Sequence, residues 1–216
     1  MITSRDNSLV RHARAVRDGK VRGQIFIEGV RLCEEAGHAA LAVKDVLYTE
    51  RIASDERGSR LLDELKKVNA HAALVSEQVL SSISDTKTPQ GIIVLAGRPR
   101  TGPEVLENNR AEATLIIIMH RINNPANAGA ILRTAEAAGA TGAIATEGST
   151  DLFSPKALRG AMGSSFRLPA WDRASFSGAL AWCAEHNIRT VSMDSVATRL
   201  YTDVDWTGAC ALIVGA

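Results

Sequence analysis

The residues best suited to chemistry lie in HRINNPANAGAILRTAEAAGATGAIAT, residues 120–146. Asn127 and Arg133 stand there among small residues, and Pro125 and Gly129 punctuate the same stretch. Asn127 can cap a helix, and Gly129 removes a side chain where another backbone or a phosphate must approach. Because a helix N-terminus attracts negative charge, the segment predicts an anion site with an arginine further along the same helix.

The elements on either side of this segment explain its position. The run TLIIIMH, residues 114–120, is too uniformly apolar for a half-exposed strand and is typical of one covered on both faces. A helix is predicted from about Asn127 to Ala138, and Gly139 ends it. The segment thus joins a buried strand to a helix, which is where α/β sheets favour ligands.

Two other interpretations of these residues stay open on sequence alone. Arg133 can be structural and pair with Glu136 or Glu147, and this is as good an interpretation as a functional one. Glu147 also lies where a dinucleotide-binding fold places the acid that holds a ribose. That fold requires G-x-G-x-x-G, and Leu132 stands in place of the last glycine, so a dehydrogenase is a minor alternative.

The rest of the sequence argues against several classes of protein. It contains no zinc-protease, Walker or nucleophile-elbow motif, and we expect no metal. Cys33, Cys183 and Cys210 lie far apart, and we expect buried, reduced thiols. No apolar run approaches the roughly 20 residues that cross a bilayer, and the polar N-terminal stretch favours a cytoplasmic protein.

The first 31 residues carry a local excess of positive charge, although the net charge of the whole chain is only +1. This basic edge is a possible phosphate-binding surface. The alternative is a short amphipathic helix with a solvated basic face, and charge alone favours that alternative. Its inward side would consist of Leu9, Val10, Ala13 and Val16.

The chain divides into two α/β units. Strand-like and helical patterns alternate from Gln24 to Gly97, and glycine, proline and charge replace them in residues 97–110. We predict a first domain over residues 1–97, a linker over 98–112 and a second domain over 113–216. In the second domain the strands TLIIIMH, GAIAT, IRTVSMD and ACALIVGA, with helices between them, predict a parallel sheet.

Several segments together resemble the SpoU, or TrmH-like, family. NNPANAGAILRTAEAAGATG resembles its first signature, P-x-N-x-G-x-I-x-R-x-A. ITSRDNSLVR, FIEGVRLCEEA and SDTKTPQGIIVLA resemble, in that order, the RNA-binding domain that precedes the catalytic domain in many members. SPKALRGAMGSSFRLPAW resembles the stretch between the second and third strands of the catalytic domain. The resemblance covers nearly the entire chain.

This resemblance implies a small N-terminal α/β RNA-binding domain followed by an α/β-knot methyltransferase domain of the SPOUT type. It implies a homodimer that transfers a methyl group from S-adenosylmethionine to a ribose 2′-oxygen. The implied substrate is large-subunit rRNA, which is favoured over tRNA. Since arginine rarely loses its proton, Arg133 would act by electrostatics and not as a general base. The implied residues are Arg133 and Asn127 for catalysis, Met193, Asp194 and Gly215 for the cofactor, and Arg5, Asn7, Arg11 and Arg14 for RNA.

The sequence also departs from the family pattern. His120 and Asn124 stand where many members carry acidic residues. Only the strand that opens the second signature is present, and the third signature is missing. Those segments normally form the knot, most of the cofactor pocket and much of the dimer contact, so we expect a truncated chain that binds cofactor poorly, with its last strand as an unprotected sheet edge. A non-catalytic RNA-binding module is the alternative.

Overall fold

The computed structural model describes residues 1–67, 70–108 and 114–215, and within them the chain forms two sheets. The first sheet has the order β1-β4-β2-β3, in which β4 runs antiparallel to β1 and β2, and β2 runs parallel to β3. Its strands are β1 (Gln24–Glu28), β2 (Val43–Tyr48), β3 (His71–Leu74) and β4 (Ile92–Gly97). All but the end residue of β4 are buried, because this strand lies inside the sheet.

Within the described residues five helices accompany the first sheet, and polar side chains fix where two of them begin. They are α1 (Ser8–Arg17), α2 (Val30–His38), α3 (Glu50–Ser54), α4 (Glu56–Lys67) and α5 (Glu77–Ile83). Asn7 caps α1 and Ser76 caps α5, since each side chain accepts a hydrogen bond from a backbone N–H of the first turn. Val10, Ala13 and Val16 are buried, which confirms the amphipathic pattern predicted for α1.

The second sheet is parallel throughout, as the sequence predicts, with the order β7-β6-β5-β9-β8. Its strands are β5 (Leu115–His120), β6 (Gly142–Thr146), β7 (Ala170–Ala174), β8 (Arg189–Ser192) and β9 (Cys210–Gly215). The expectation that β9 forms an open sheet edge is wrong, because β9 pairs with β5 on one side and with β8 on the other. The edges of this sheet are β7 and β8.

Helices also accompany the second sheet. They are α6 (Pro103–Glu107), α7 (Pro125–Ala137), α8 (Pro155–Ala161), α9 (Ser164–Arg167) and α10 (Phe176–Glu185), and a 3-10 turn spans Tyr201–Asp203. Among the described residues, none of these or the earlier helices has the length and apolar character that crossing a bilayer requires.

Two elements differ from the sequence prediction. The linker predicted without regular structure contains α6, whose Leu106 is buried among residues of the second sheet such as Ile116. The strand β7 was missed, because only Ala170 and Ala174 are buried in it and its centre carries Trp171, Asp172 and Arg173. An edge strand tolerates such a polar pattern. Ala113, where the sequence predicts the start of the second domain, lies outside the described residues.

Apolar contacts and ion pairs join the two sheets. One buried cluster contains Ile25 and Ile27 of β1 together with Leu158 and Ala161 of α8. Arg98, which follows β4, donates hydrogen bonds to the carboxylates of two residues of the second sheet region, Asp151 and Asp172. Burial raises the pKa of Asp172, whereas the hydrogen bonds from Arg98 and a backbone N–H outweigh burial and lower the pKa of Asp151. Arg167 of α9 pairs with Glu35 of α2.

Candidate active site

The candidate site lies at the carboxyl ends of the second sheet. From β5 the chain crosses through α7 to β6 on one side, whereas β9 lies on the other side of β5. This is a topological switch point, where a crevice opens between crossovers that leave in opposite directions. The side chains that follow β5, β6, β8 and β9 therefore meet at one edge of the sheet.

The three residues predicted to flank the cofactor lie at this edge. Gly215 ends β9 opposite His120 of β5, and a Cβ on Gly215 would overlap the His120 carbonyl. Met193 follows β8, and its backbone N–H donates to Ile213 of β9 at 3.0 Å. The side chain of Asp194 accepts from the backbone N–H two residues later at 2.9 Å. Met193 and Asp194 are exposed, so this edge is open to solvent.

Polar contacts at the ends of β5 and β6 fix the loop that leads to α7. The Thr146 hydroxyl lies 3.0 Å from Nδ1 of His120 and accepts from the Arg121 N–H at 3.2 Å. The Ser149 hydroxyl donates to the Met119 carbonyl and accepts a hydrogen bond from the backbone N–H of Ile122. Sequence reasoning missed Thr146 and Ser149. The available signal was a threonine at the end of a buried strand, followed by a glycine-containing turn.

The start of α7 differs from the prediction. Asn124 is the cap, and its Oδ1 accepts from the Ala126 N–H at 2.9 Å. The prediction that Asn127 caps the helix is wrong, because Pro125 already occupies the first helical position, where its missing N–H is not needed. Asn127 lies in the first turn with its side chain exposed, which leaves its amide available.

Gly129 permits a close contact between two helices. A Cβ at Gly129 would overlap the Ala157 carbonyl oxygen and would lie 2.8 Å from the Ala161 nitrogen of α8. Gly160 of α8 contributes to the same contact, since a Cβ there would lie 3.3 Å from the Gly129 Cα. The sequence left open whether another backbone or a phosphate approaches Gly129, and the structure shows another backbone.

Arg133 is exposed and its guanidinium makes no hydrogen bond or ion pair with any residue in the described part of the chain. The structural pairing with Glu136 is absent there, because Glu136 instead accepts from Ser164 at 2.6 Å and from Arg167 at 2.6 Å. The hydrogen bond from Arg167 lowers the pKa of Glu136, which keeps that carboxylate charged. The Arg133 fork is thus free for another acceptor.

Asn127 and Arg133 do not share one side of α7. Six residues of α-helix separate them by about 9 Å along the axis and about 120° around it. Asn127 therefore lies near the carboxyl edge of the sheet, whereas Arg133 lies further along the helix. A ligand that touches both residues has to extend along α7.

The four residues proposed for RNA divide into two pairs. Asn7 accepts from the Leu9 N–H at 2.9 Å as the cap of α1. Arg14 donates to the Ser82 hydroxyl at 2.8 Å and to the Arg5 carbonyl at 3.3 Å. Arg5 and Arg11 are exposed, so their guanidinium groups are the more accessible of the four side chains.

Metal and cysteine chemistry find little support in the described residues. No group of three or more His, Cys, Asp or Glu side chains within them is arranged to hold a metal ion. Cys33, Cys183 and Cys210 are free thiols and buried. Burial raises the pKa of Cys33 well above its ordinary value and raises the pKa of Cys183 to about 11, so both are protonated at neutral pH.

Comparison with known families matches two parts of the chain. Residues 114–216 match the SpoU rRNA Methylase family, and residues 7–94 match the MRM3-like substrate binding domain. The 23S rRNA guanosine 2′-O-methyltransferase RlmP of Bacillus subtilis is 30% identical over 177 residues, which are 80% of this chain and 64% of that protein. The chain thus spans just under two thirds of the length of this relative.

Solved structures agree with these matches. A crystal structure of an RNA 2′-O ribose methyltransferase is 30% identical, with a TM-score of 0.80, over 99% of this chain and 81% of that one. The AdoMet-bound rRNA methyltransferase of Sinorhizobium meliloti shares the fold, with a TM-score of 0.85 at 24% identity, over 99% of this chain and 80% of that one. The family predicted from the sequence is confirmed: the chain belongs to the SpoU rRNA methylase family of S-adenosylmethionine-dependent RNA methyltransferases.

Proposed function

We propose that this chain transfers a methyl group from S-adenosylmethionine to a ribose 2′-hydroxyl of ribosomal RNA. The observation that carries the proposal is Arg133, which stands in the family signature on α7 with its fork exposed and unpaired within the described residues. An unpaired guanidinium at a solvent-accessible helix surface is suited to bind a phosphate. The family assignment supplies the reaction class, and Arg133 supplies the residue on which the reaction depends.

Arg133 acts through charge and geometry. Its planar fork can hold the phosphate beside the target nucleotide in a bidentate pair and stabilise the ribose oxyanion as it forms. It keeps its own proton, because a guanidinium is almost never deprotonated in proteins, so the proton of the ribose hydroxyl passes to solvent at the open carboxyl edge. Asn127, near the carboxyl edge, orients the substrate through an amide that makes no capping bond to its own helix.

The edge formed by β8 and β9 fits S-adenosylmethionine in one respect, because it is open to solvent. Met193 and Asp194 are exposed there, and the lack of a side chain on Gly215 allows the close backbone contact between β9 and His120. These three residues would hold the cofactor, which supplies an electrophilic methyl group on a sulfonium. The task of the chain's own residues is to hold the ribose hydroxyl in line with that methyl group.

The first sheet and its helices supply the RNA-binding part of this proposal. Residues 1–97 form the substrate domain, residues 98–112 the linker and residues 113–216 the methyltransferase domain, and the match of residues 7–94 to a substrate binding domain supports this division. Arg5 and Arg11 contact RNA phosphates. Large-subunit rRNA is the proposed substrate, and the protein works in the cytoplasm as a homodimer without a metal ion.

The test is to delete the gene in the source organism and to map 2′-O-methylation across its rRNA. We expect one position in large-subunit rRNA to lose its methyl group and the wild-type gene to restore it. A gene that carries Arg133→Lys should express a folded protein and fail to restore it. Full methylation in the deletion strain would refute the proposal. RNA binding by the purified protein without any methylation change would instead support the non-catalytic module.

A further inference from the structure

A cleft lies between the substrate domain and the methyltransferase sheet, away from the carboxyl edge. It has a volume of about 250 Å³ and opens between the start of α2, the loop that follows α5, and α8. Residues from both parts of the chain line it, namely Glu28, Arg31, Thr86, Thr88, Arg159 and Met162. The cleft is therefore formed only when the two parts are packed together.

Arg159 is the residue that demands an explanation. Its Nη2 donates to Asp85 at 2.7 Å, which accounts for one side of the guanidinium. Its Nη1 is buried and has no hydrogen-bond partner among the described residues. A buried donor on a charged group is costly to leave unsatisfied, and such a group usually has an acceptor in the functional state of a protein.

The other charges around the cleft favour an anion as this acceptor. Arg31 lines the cleft, Lys87 stands between two lining threonines, and both side chains are exposed. The acidic groups are already engaged, because Asp85 pairs with Arg159 and the buried Glu28 accepts from Ser84, from the Asp85 N–H and from the Thr86 hydroxyl. Two arginines thus line the cleft, Lys87 is adjacent to its lining threonines in sequence, and the one carboxylate that lines it, Glu28, has partners within the chain.

The position of the cleft links it to Arg133. Arg159 immediately precedes Gly160, which packs on Gly129 of α7. Arg133 follows Gly129 by four residues, or about 6 Å along the helix axis. Arg159, with its buried unsatisfied donor, and the exposed Arg133 therefore lie on two tightly packed helices, and one extended polyanion could reach both.

We propose that this cleft is a subsite for a backbone phosphate of the RNA, held by Arg159 and Arg31. The inference rests on the proposed function only in taking RNA as the substrate. A phosphate there gives the Arg159 guanidinium a second acceptor once the side chain turns its Nη1 group toward the cleft, and it ties the RNA to both parts of the chain at once. The bound strand then runs from the substrate domain across α8 toward Arg133.

The test measures RNA binding without any methyl donor, so a failure of methyl transfer leaves its result untouched. Anisotropy of a labelled single-stranded RNA of about 15 nucleotides gives Kd across a series of salt concentrations. Arg31→Ala removes an exposed charge, and Arg159→Lys keeps the charge while removing the fork. Arg60→Ala is the matched control, since Arg60 pairs only with Glu56 on the outer face of α4 within the described residues.

We expect each cleft variant to weaken RNA binding about tenfold at low salt, the usual effect of losing one charge-assisted hydrogen bond. For Arg31→Ala the slope of log Kd against log salt should fall by about 0.7, one phosphate contact on a single strand. Unchanged Kd and slope for Arg31→Ala, with Arg60→Ala also unchanged, would overturn the proposal even if Arg159→Lys fails to fold. So would calorimetry in which the variants lose binding of inorganic phosphate alone and keep RNA binding.

Discussion

Helices α1 and α7 both carry arginines assigned to RNA, yet they use their polar residues in opposite ways. In α1 the capping Asn7 and the side chain of Arg14 are occupied by contacts within the fold, and the helix packs through Val10 and Val16. In α7 the packing is achieved by backbone contact at Gly129, and Arg133 makes no hydrogen bond or ion pair within the described residues.

This difference teaches how to separate structural from functional arginines. In the sequence, an arginine on an exposed helix face looks the same whether or not its side chain has a hydrogen-bond partner. The distinction depends on which acceptors the tertiary fold brings near. Arg14 meets Ser82 from another helix, whereas the nearest acid along α7, Glu136, is taken by Arg167.

The sharpest way to break the comparison is to replace Arg133 by lysine. Methyl transfer should fall about 100-fold or more, because the charge remains while the bidentate donors to the developing oxyanion are lost. Single-turnover transfer of a labelled methyl group to rRNA measures this, and cofactor affinity in the same samples should match the wild type. Arg60→Lys serves as the control. Wild-type turnover in Arg133→Lys would contradict a role of the Arg133 guanidinium in methyl transfer.

The packing of α7 can be tested by adding one methyl group. Gly129→Ala should lower the free energy of unfolding by about 2 kcal/mol, because the new Cβ collides with the backbone of α8. Gly37→Ala, in α2, meets nothing within 4 Å and should raise it by about 0.5–1 kcal/mol. Urea denaturation measures both values. Equal effects for the two substitutions would contradict the close contact between α7 and α8.

Removing either helix cap, Asn124 or Asn7, should lower the stability by the same amount, although only Asn124 lies at the candidate site. Asn124→Ala and Asn7→Ala should each lower the free energy of unfolding by about 1 kcal/mol, since each removes an acceptor from a first-turn N–H. Asn127→Ala should change it by less than about 0.5 kcal/mol and reduce methyl transfer instead. A large stability loss for Asn127→Ala in thermal unfolding would restore its predicted capping role.

The last pair of expected effects concerns two arginines of α1. Arg14→Ala should lower the free energy of unfolding by about 1 kcal/mol through the lost hydrogen bond to Ser82. Arg11→Ala should leave stability unchanged and reduce the salt dependence of RNA binding by about 0.7 in slope. Paired denaturation and anisotropy experiments measure both. If Arg11→Ala binds RNA with the wild-type salt slope, the basic edge is only a solvated surface.

The sequence carried the parts of the fold that local patterns encode. The strands β5, β6 and β9 read as continuous apolar runs because both faces of a parallel sheet are covered. β7 escaped because an edge strand is half polar, and the cap moved from Asn127 to Asn124 because proline starts a helix by itself. The interior place of β9 in the sheet and the unsatisfied donor of Arg159 could not be predicted, since both depend on residues distant in sequence.

The interior position of β9, between β5 and β8, bears on how the chain folds. The buried residues of the cluster formed by α1, α5 and strands of the first sheet all lie between Val10 and Leu95, so this cluster can form early in synthesis. In the second sheet Leu115 pairs with Cys210, and β5 keeps one side unpaired until that late strand emerges. Pairing between strands distant in sequence is slow, and the unpaired side of β5 can associate with other chains until β9 pairs with it. A nascent chain is therefore most vulnerable to aggregation while its first half is already native.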